Sequence, residues 1–152
     1  MNISLDLLKK LREETSAGVS DCRQALEDAQ GDYEKAKKLL VERGLEKAKK
    51  KEGKETSEGV IASYVHATNK VGVLVDIRCE TDFVARTEDF KNLAKEISMQ
   101  VAAMKPKDVK ELLESAYIRD AKQTIESLLK GTIARVGENI TIARFTRMEL
   151  GE

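Results

Sequence analysis

The chain has 152 residues, enough for one domain with a small appendage or two small domains. Its 27 basic and 27 acidic residues cancel, which removes the electrostatic case for binding nucleic acid or an anionic membrane through the whole molecule. No apolar run approaches the ~20 residues of a membrane span, and with Asn2, Asp6 and polar residues at close intervals no signal peptide is expected. Two cysteines, Cys22 and Cys79, match no zinc or redox spacing, so the expectation is a soluble cytoplasmic protein with free thiols.

Three helices are expected in the first third. Ser4 is placed to cap a helix with Leu5, Leu8 and Leu11 on one side, and Thr15 to Gly18 breaks it, Gly18 being free to turn left-handed. Ser20 opens a second helix that turns Cys22, Ala25, Leu26 and Ala29 inward. Gly31 closes it, Asp32 caps a third built on Tyr33, Ala36, Leu39 and Leu40, and Gly44 marks its end. Residues 45–58 are dominated by Lys and Glu and read as a solvated helix extension or a linker, with Gly53 and Gly59 bracketing a hinge. The domain division expected is a helical bundle at 1–50, a charged linker at 51–58, and a core at 59–152.

The core begins with residues 60–66, rich in β-branched residues and Tyr64, as a strand. Ala67 to Lys70 supplies a turn with Asn69 at positive φ, and residues 71–79 return antiparallel, with Val71, Val73, Val75, Ile77 and Cys79 in strict alternation. Thr87 caps a helix with Phe90, Leu93, Ala94, Ile97 and Val101 on one face, which must stop before Pro106. Val109, Leu112 and Leu113 suggest a short helix, Tyr117 and Ile118 an extended stretch, and Thr124 the cap of a helix ending at Gly137. In the last strand Ile140 and Ile142 share a face, Phe145 falls opposite, and Met148 and Leu150 return. That phase change calls for a bulge, or for a strand buried on both sides at different points. The fold class is α+β: a three-helix bundle followed by an antiparallel three-stranded sheet with helices on one face.

Between the central strand and its following helix lies Cys79-Glu80-Thr81-Asp82-Phe83-Val84-Ala85-Arg86. A strand-to-helix corner is where a rigid scaffold presents side chains to a partner. Taken on physics alone, Phe83 folds back into the core. No catalytic constellation accompanies it. Cys79 continues the inward alternation and should be buried and inert, which disfavours a Cys–His pair with His66, and Glu80 with Asp82 make a weak cation site. No GxSxG, HExxH or phosphate-cradling glycine loop occurs. Neither catalytic nor metal-ligating residues are expected, and no cofactor.

Two segments are more specific. Residues 11–26, Leu-Arg-Glu-Glu-Thr-Ser-Ala-Gly-Val-Ser-Asp-Cys-Arg-Gln-Ala-Leu, resemble the N-terminal signature of the bacterial elongation factor Ts family. Residues 71–75 followed by 79–86 resemble its central signature, and residues 93–100 and 136–149 resemble further blocks in the same order. The resemblance implies a guanine-nucleotide exchange factor for elongation factor Tu, without covalent chemistry of its own. It implies that residues 1 to about 50 form a ubiquitin-associated-like domain contacting the GTPase. The family's Thr-Asp-Phe-Val motif falls on Thr81, Asp82, Phe83 and Val84, of which Asp82 and Phe83 would press between helices of the GTPase near its bound Mg²⁺. Phe83 would then be exposed, against the reading from physics alone. In the N-terminal signature Ser16 replaces a glycine, Ser20 an apolar residue and Arg23-Gln24 a lysine pair, leaving Val19 as the better anchor beside Ser20. Gln100 stands where a His is common, and the stretch from Pro106 to Tyr117 is shorter than in typical members. With one core copy, the chain resembles short forms in which a homodimer supplies the second half. The competing readings are a GTPase-binding adaptor without exchange activity, and an RNA-binding module using Lys47 to Lys54. No membrane and no direct nucleic-acid partner is expected.

Overall fold

The computed structural model describes residues 2–152. Three helices open the chain: α1 (Leu5–Thr15), α2 (Val19–Asp28) and α3 (Tyr33–Lys51). Leu8 and Leu11 of α1, Cys22, Ala25, Leu26 and Ala29 at α2, and Ala36 and Leu40 of α3 form one hydrophobic cluster. Leu5, expected on the same stripe, is 67% exposed because it occupies the first turn, beyond the reach of the other two helices. The α1–α2 turn also differs from expectation. Ser16, not Gly18, is left-handed (φ 55°), its N–H closing onto the Arg12 carbonyl at 2.8 Å. Gly18 is extended (φ −62°) and occupies the N-cap of α2, so the helix starts one residue before Ser20. Asp32 caps α3 as expected, its side chain accepting from the Lys35 N–H at 3.1 Å.

Helix α3 runs past Gly44, the expected stop, to Lys51. A glycine inside a helix costs about 1 kcal/mol relative to alanine, and tertiary packing outweighs that cost here. The second half of α3 lies along a core helix, with Gly44 facing Ala134 and with Ala48 buried in the core cluster. The Lys- and Glu-rich run is therefore a helix extension with one buried side and a charged outer side. The segment after it, read as a hinge, is held at several points: the Asn139 side-chain amide donates to the Lys54 carbonyl at 2.9 Å, and the Thr56 and Thr141 hydroxyls lie 2.8 Å apart.

The core sheet has three antiparallel strands, β1 (Glu58–Val65), β2 (Val71–Cys79) and β5 (Ile140–Glu149), with β2 central. Asn69 takes φ 57° in the β1–β2 turn. One face packs against α5 (Glu88–Met104) and α7 (Ile125–Val136), burying Val73, Val75, Ile77, Cys79, Phe90, Ile97, Val101, Ile125 and Ile140 together. Thr87 and Thr124 cap these helices by accepting from the N–H groups of Phe90 and Ser127, and Lys105 (φ 50°) ends α5 before Pro106. Gly137 (φ 75°) ends α7.

A bulge does occur in β5. Asp76 pairs with Arg144 but Ile77 pairs with Ile142, leaving Ala143 as the extra residue. The insertion brings Phe145, opposite Val75, onto the inner face with Ile140 and Ile142. Met148 and Leu150 then turn outward, 73% and 75% exposed, rather than returning to the face of Ile140.

Between the two core helices lie α6 (Val109–Glu114) and a hairpin of β3 (Ala116–Tyr117) and β4 (Asp120–Thr124). Strand β4, Asp-Ala-Lys-Gln-Thr, has no apolar alternation to announce it. Gln100 organises this region from a fully buried position on α5. Its amide nitrogen donates to Ser115 Oγ and the Ala116 carbonyl at 3.1 and 2.8 Å, and its oxygen accepts from the Ile118 N–H at 3.0 Å.

At the start of β1, Gly59 crosses β2 with φ 147°, and a Cβ there would lie 2.1 Å from the Ile77 carbonyl oxygen and 2.7 Å from Arg78 Cα. Both obstacles are backbone, so they cannot swing aside. Gly59→Ala should therefore cost about 3 kcal/mol, combining a forbidden φ with a broken β1–β2 register. Urea melts of the two proteins would show it as a lower midpoint at similar slope; equal midpoints would contradict it.

Candidate functional site

The corner after β2 is built from the core outward. β2 ends at Cys79, fully buried beneath the sheet, and its thiol donates to the Thr81 carbonyl at 3.1 Å. Burial, with the Glu138 charge adding to it, pushes that thiol up to about 11. It stays protonated and is no nucleophile. His66 ends the opposite end of the hairpin, with Nδ1 2.9 Å from the Tyr64 hydroxyl. Glu58 is the β1 residue paired with Cys79, so His66 is displaced by eight residues of strand, roughly 25 Å. Cys79 and His66 therefore form no pair.

Thr81 is the N-cap of a one-turn helix, α4 (Asp82–Ala85), and its hydroxyl oxygen accepts from the Val84 N–H at 3.3 Å. Val84 and Ala85, 4% and 6% exposed, insert into the core and form the keel of the turn. Phe83 precedes Val84 by about 100° around the helix and points away from the core. It is 73% exposed. The reading of Phe83 as core is thus overturned: two small apolar residues fill the space the corner has to offer. Asp82 lies beside it with its side chain 70% exposed, 3.0 Å from the equally exposed Arg86 guanidinium. An exposed i,i+4 pair is worth only about 0.3–0.5 kcal/mol, so little holds Asp82 to Arg86. The Thr87 hydroxyl donates to the Val84 carbonyl at 2.7 Å and hands the chain on to α5.

Four of the six expected contact residues, Thr81, Asp82, Phe83 and Val84, therefore share one turn. Asp82 and Phe83 face solvent, Thr81 caps, and Val84 is buried. Val19 and Ser20 lie elsewhere, at the first two positions of α2 in the helical bundle, with Val19 44% exposed. One residue that sequence reasoning did not single out bears directly on the turn. Glu138, in the α7–β5 loop, accepts from both the backbone N–H and the hydroxyl of Thr81, at 2.9 and 2.7 Å. Nothing local in the sequence connects positions so far apart.

Among the described residues no group of three or more His, Cys, Asp or Glu is gathered to hold a metal ion, and no helix is long and apolar enough to cross a membrane. What the corner offers is a large rigid aromatic and an exposed carboxylate side by side on a braced turn.

Comparison with known proteins gives the family. Residues 80–152 match the family model described as elongation factor TS. Over the full chain, the elongation factor Ts of Fervidobacterium nodosum is 41% identical over 197 residues, with 100% of both chains covered. That of Thermotoga maritima is 42% identical over 195 residues, covering 100% of this chain and 98% of its own. That of Nitratidesulfovibrio vulgaris is 42% identical over 196 residues, covering 99% and 98%. These alignments are longer than the 152 residues here yet run end to end, so the relatives carry internal sequence without a counterpart in this chain. The alignments cover the bundle, the braced corner and the sheet together, and the chain belongs to the elongation factor Ts family.

Proposed function

We propose that this nucleotide exchange factor of translation elongation drives GDP from elongation factor Tu by inserting Asp82 and Phe83 beside the nucleotide and its Mg²⁺. The observation that carries the reading is Phe83, 73% exposed on a turn whose neighbours Val84 and Ala85 are locked into the core. An apolar side chain of that size left in water forgoes about 1.5–3 kcal/mol of burial, which becomes available when a partner covers it.

GDP is held in a GTPase through its phosphates, the backbone loop around them, and an Mg²⁺ that demands near-ideal octahedral geometry. A wedge that displaces the supporting helices by about an ångström spoils that geometry. Contact energy with the exchange factor then offsets the lost nucleotide contacts. The coupling is reciprocal: the factor by which the exchange factor weakens GDP is the factor by which GDP weakens the exchange factor. No bond is made or broken in this chain. The bundle within residues 1–50 serves as a ubiquitin-associated-like docking domain, with Val19 as anchor and Ser20 beside it; residues 51–58 link it to the core at 59–152. The test is the release of labelled GDP by the unmutated chain and by Phe83→Ala, in which the acceleration should collapse. A GTPase-binding adaptor would bind without accelerating release, and an RNA-binding module would show RNA affinity falling steeply with salt.

A homodimer belongs to the same reading. The three-stranded sheet leaves β1 and β5 as open edges, and its outer face exposes Ile61, Val65, Leu74 and Met148. A second copy, neutral in net charge like the first, covers such a face without repulsion. Sedimentation equilibrium at micromolar concentration should give twice the 16.9 kDa chain mass; a monomer throughout would contradict the pairing.

A further inference from the structure

A helix of four residues makes too few backbone hydrogen bonds to hold its own direction. In α4 the direction is imposed at the N-cap, where every polar group of Thr81 is engaged. Its N–H and hydroxyl donate to the two carboxylate oxygens of Glu138 at 2.9 and 2.7 Å. Its hydroxyl oxygen accepts from the Val84 N–H at 3.3 Å. Its carbonyl accepts from the Cys79 thiol at 3.1 Å and the Ala85 N–H at 3.3 Å. Hydrogen bonds to a carboxylate are roughly twice as strong as neutral ones, so the pair from Glu138 dominates the set. The loop that carries Glu138 is itself fixed. Gly137 ends α7 in the left-handed region, and Asn139, only 7% exposed, donates to the Lys54 carbonyl. Ile140 then enters β5 fully buried.

We propose that Glu138 is a positioning residue for nucleotide release: its carboxylate holds Thr81 so that Asp82 and Phe83 leave the core already aimed. The proposal rests on the reading of Asp82 and Phe83 as the contact residues. Glu138 acts through Thr81 rather than by touching the GTPase. Without it, the ordering of the turn must be supplied during insertion, which lowers the rate at saturation more than the affinity of first contact.

Two measurements test this on the full chain: hydrogen exchange of the free protein, and labelled-GDP release from elongation factor Tu across a range of exchange-factor concentrations. Glu138→Ala should speed amide exchange within residues 80–86 and leave the remaining core protected. It should lower the maximal release rate about tenfold, as loss of a charge-assisted pair implies, while the half-saturating concentration stays within about threefold. Glu138→Gln keeps an acceptor for the Thr81 N–H and an amide that can donate to its hydroxyl oxygen, and should recover most of the rate. Thr81→Val loses the hydroxyl alone, should fall between them, and carries the test if Glu138→Ala folds poorly. Faster exchange in 80–86 with an undiminished maximal rate would overturn the positioning role, as would a change in half-saturation alone. Phe83→Ala in the same assay separates the two readings. If it abolishes acceleration while the Glu138 variants do not slow release, only the positioning fails. If it releases GDP at the full rate, the contact reading fails and the positioning role falls with it.

Discussion

Phe83→Ala should lower the maximal rate of GDP release from elongation factor Tu by about 30- to 150-fold, while the chain's own melting temperature stays within about 2 °C. The size follows from treating Phe83 as a contact hot spot of about 2–3 kcal/mol. The small thermal effect follows from its 73% exposure, since truncating it opens no cavity in the free protein. A circular dichroism melt and a stopped-flow release experiment on the same preparation check both halves. A large loss of stability would mean that Phe83 packs in solution, and an undiminished release rate would remove it from the mechanism.

Phe90→Ala is expected to do the reverse. Phe90 lies seven residues further on, in the first turn of α5, and is completely buried among the sheet and helix side chains of the core. Truncating a buried phenylalanine costs about 3–5 kcal/mol in lost transfer energy and residual cavity. Against a total stability of about 5–15 kcal/mol for a domain, that is a large share. Urea unfolding should show the loss as a fall in midpoint at nearly constant slope. Below the temperature at which the variant begins to unfold, GDP release should remain within a few-fold of the unmutated rate, because the Thr81 cap and the Val84–Ala85 keel are intact. A stability loss under about 1 kcal/mol would contradict the core assignment. The two phenylalanines thus separate function from folding within one short stretch.

Much of this was legible from sequence where one physical signal acted alone. The alternation from Val71 to Cys79 located β2 to the residue, and Thr87, Thr124 and Gly137 marked helix ends because a cap is a local device. The bulge in β5 was legible as a break in phase, though the inner face regained Phe145 rather than Met148. Where tertiary packing competed with local preference, the sequence misled: Gly44 lies mid-helix because α3 lies against α7 there. Polar β4 and the Glu138 brace carried no local signal, since each depends on partners brought close by the fold. Phe83 is the instructive case. Hydrophobicity argued for burial, and only the neighbouring Val84 and Ala85 occupying the available core space reverses it. The family resemblance pointed to exposure because it encodes a partner that a single chain does not contain.

On the proposed reading this chain, which lacks internal sequence that its relatives carry, accelerates nucleotide release as well as binding the GTPase. The most direct test loads purified elongation factor Tu with fluorescent GDP, adds the chain at increasing concentration with excess unlabelled GDP, and follows the loss of signal. A release rate that rises hyperbolically to a plateau far above the spontaneous rate is the predicted result. Complex formation by sedimentation or titration, with GDP leaving at its spontaneous rate at every concentration, would contradict it.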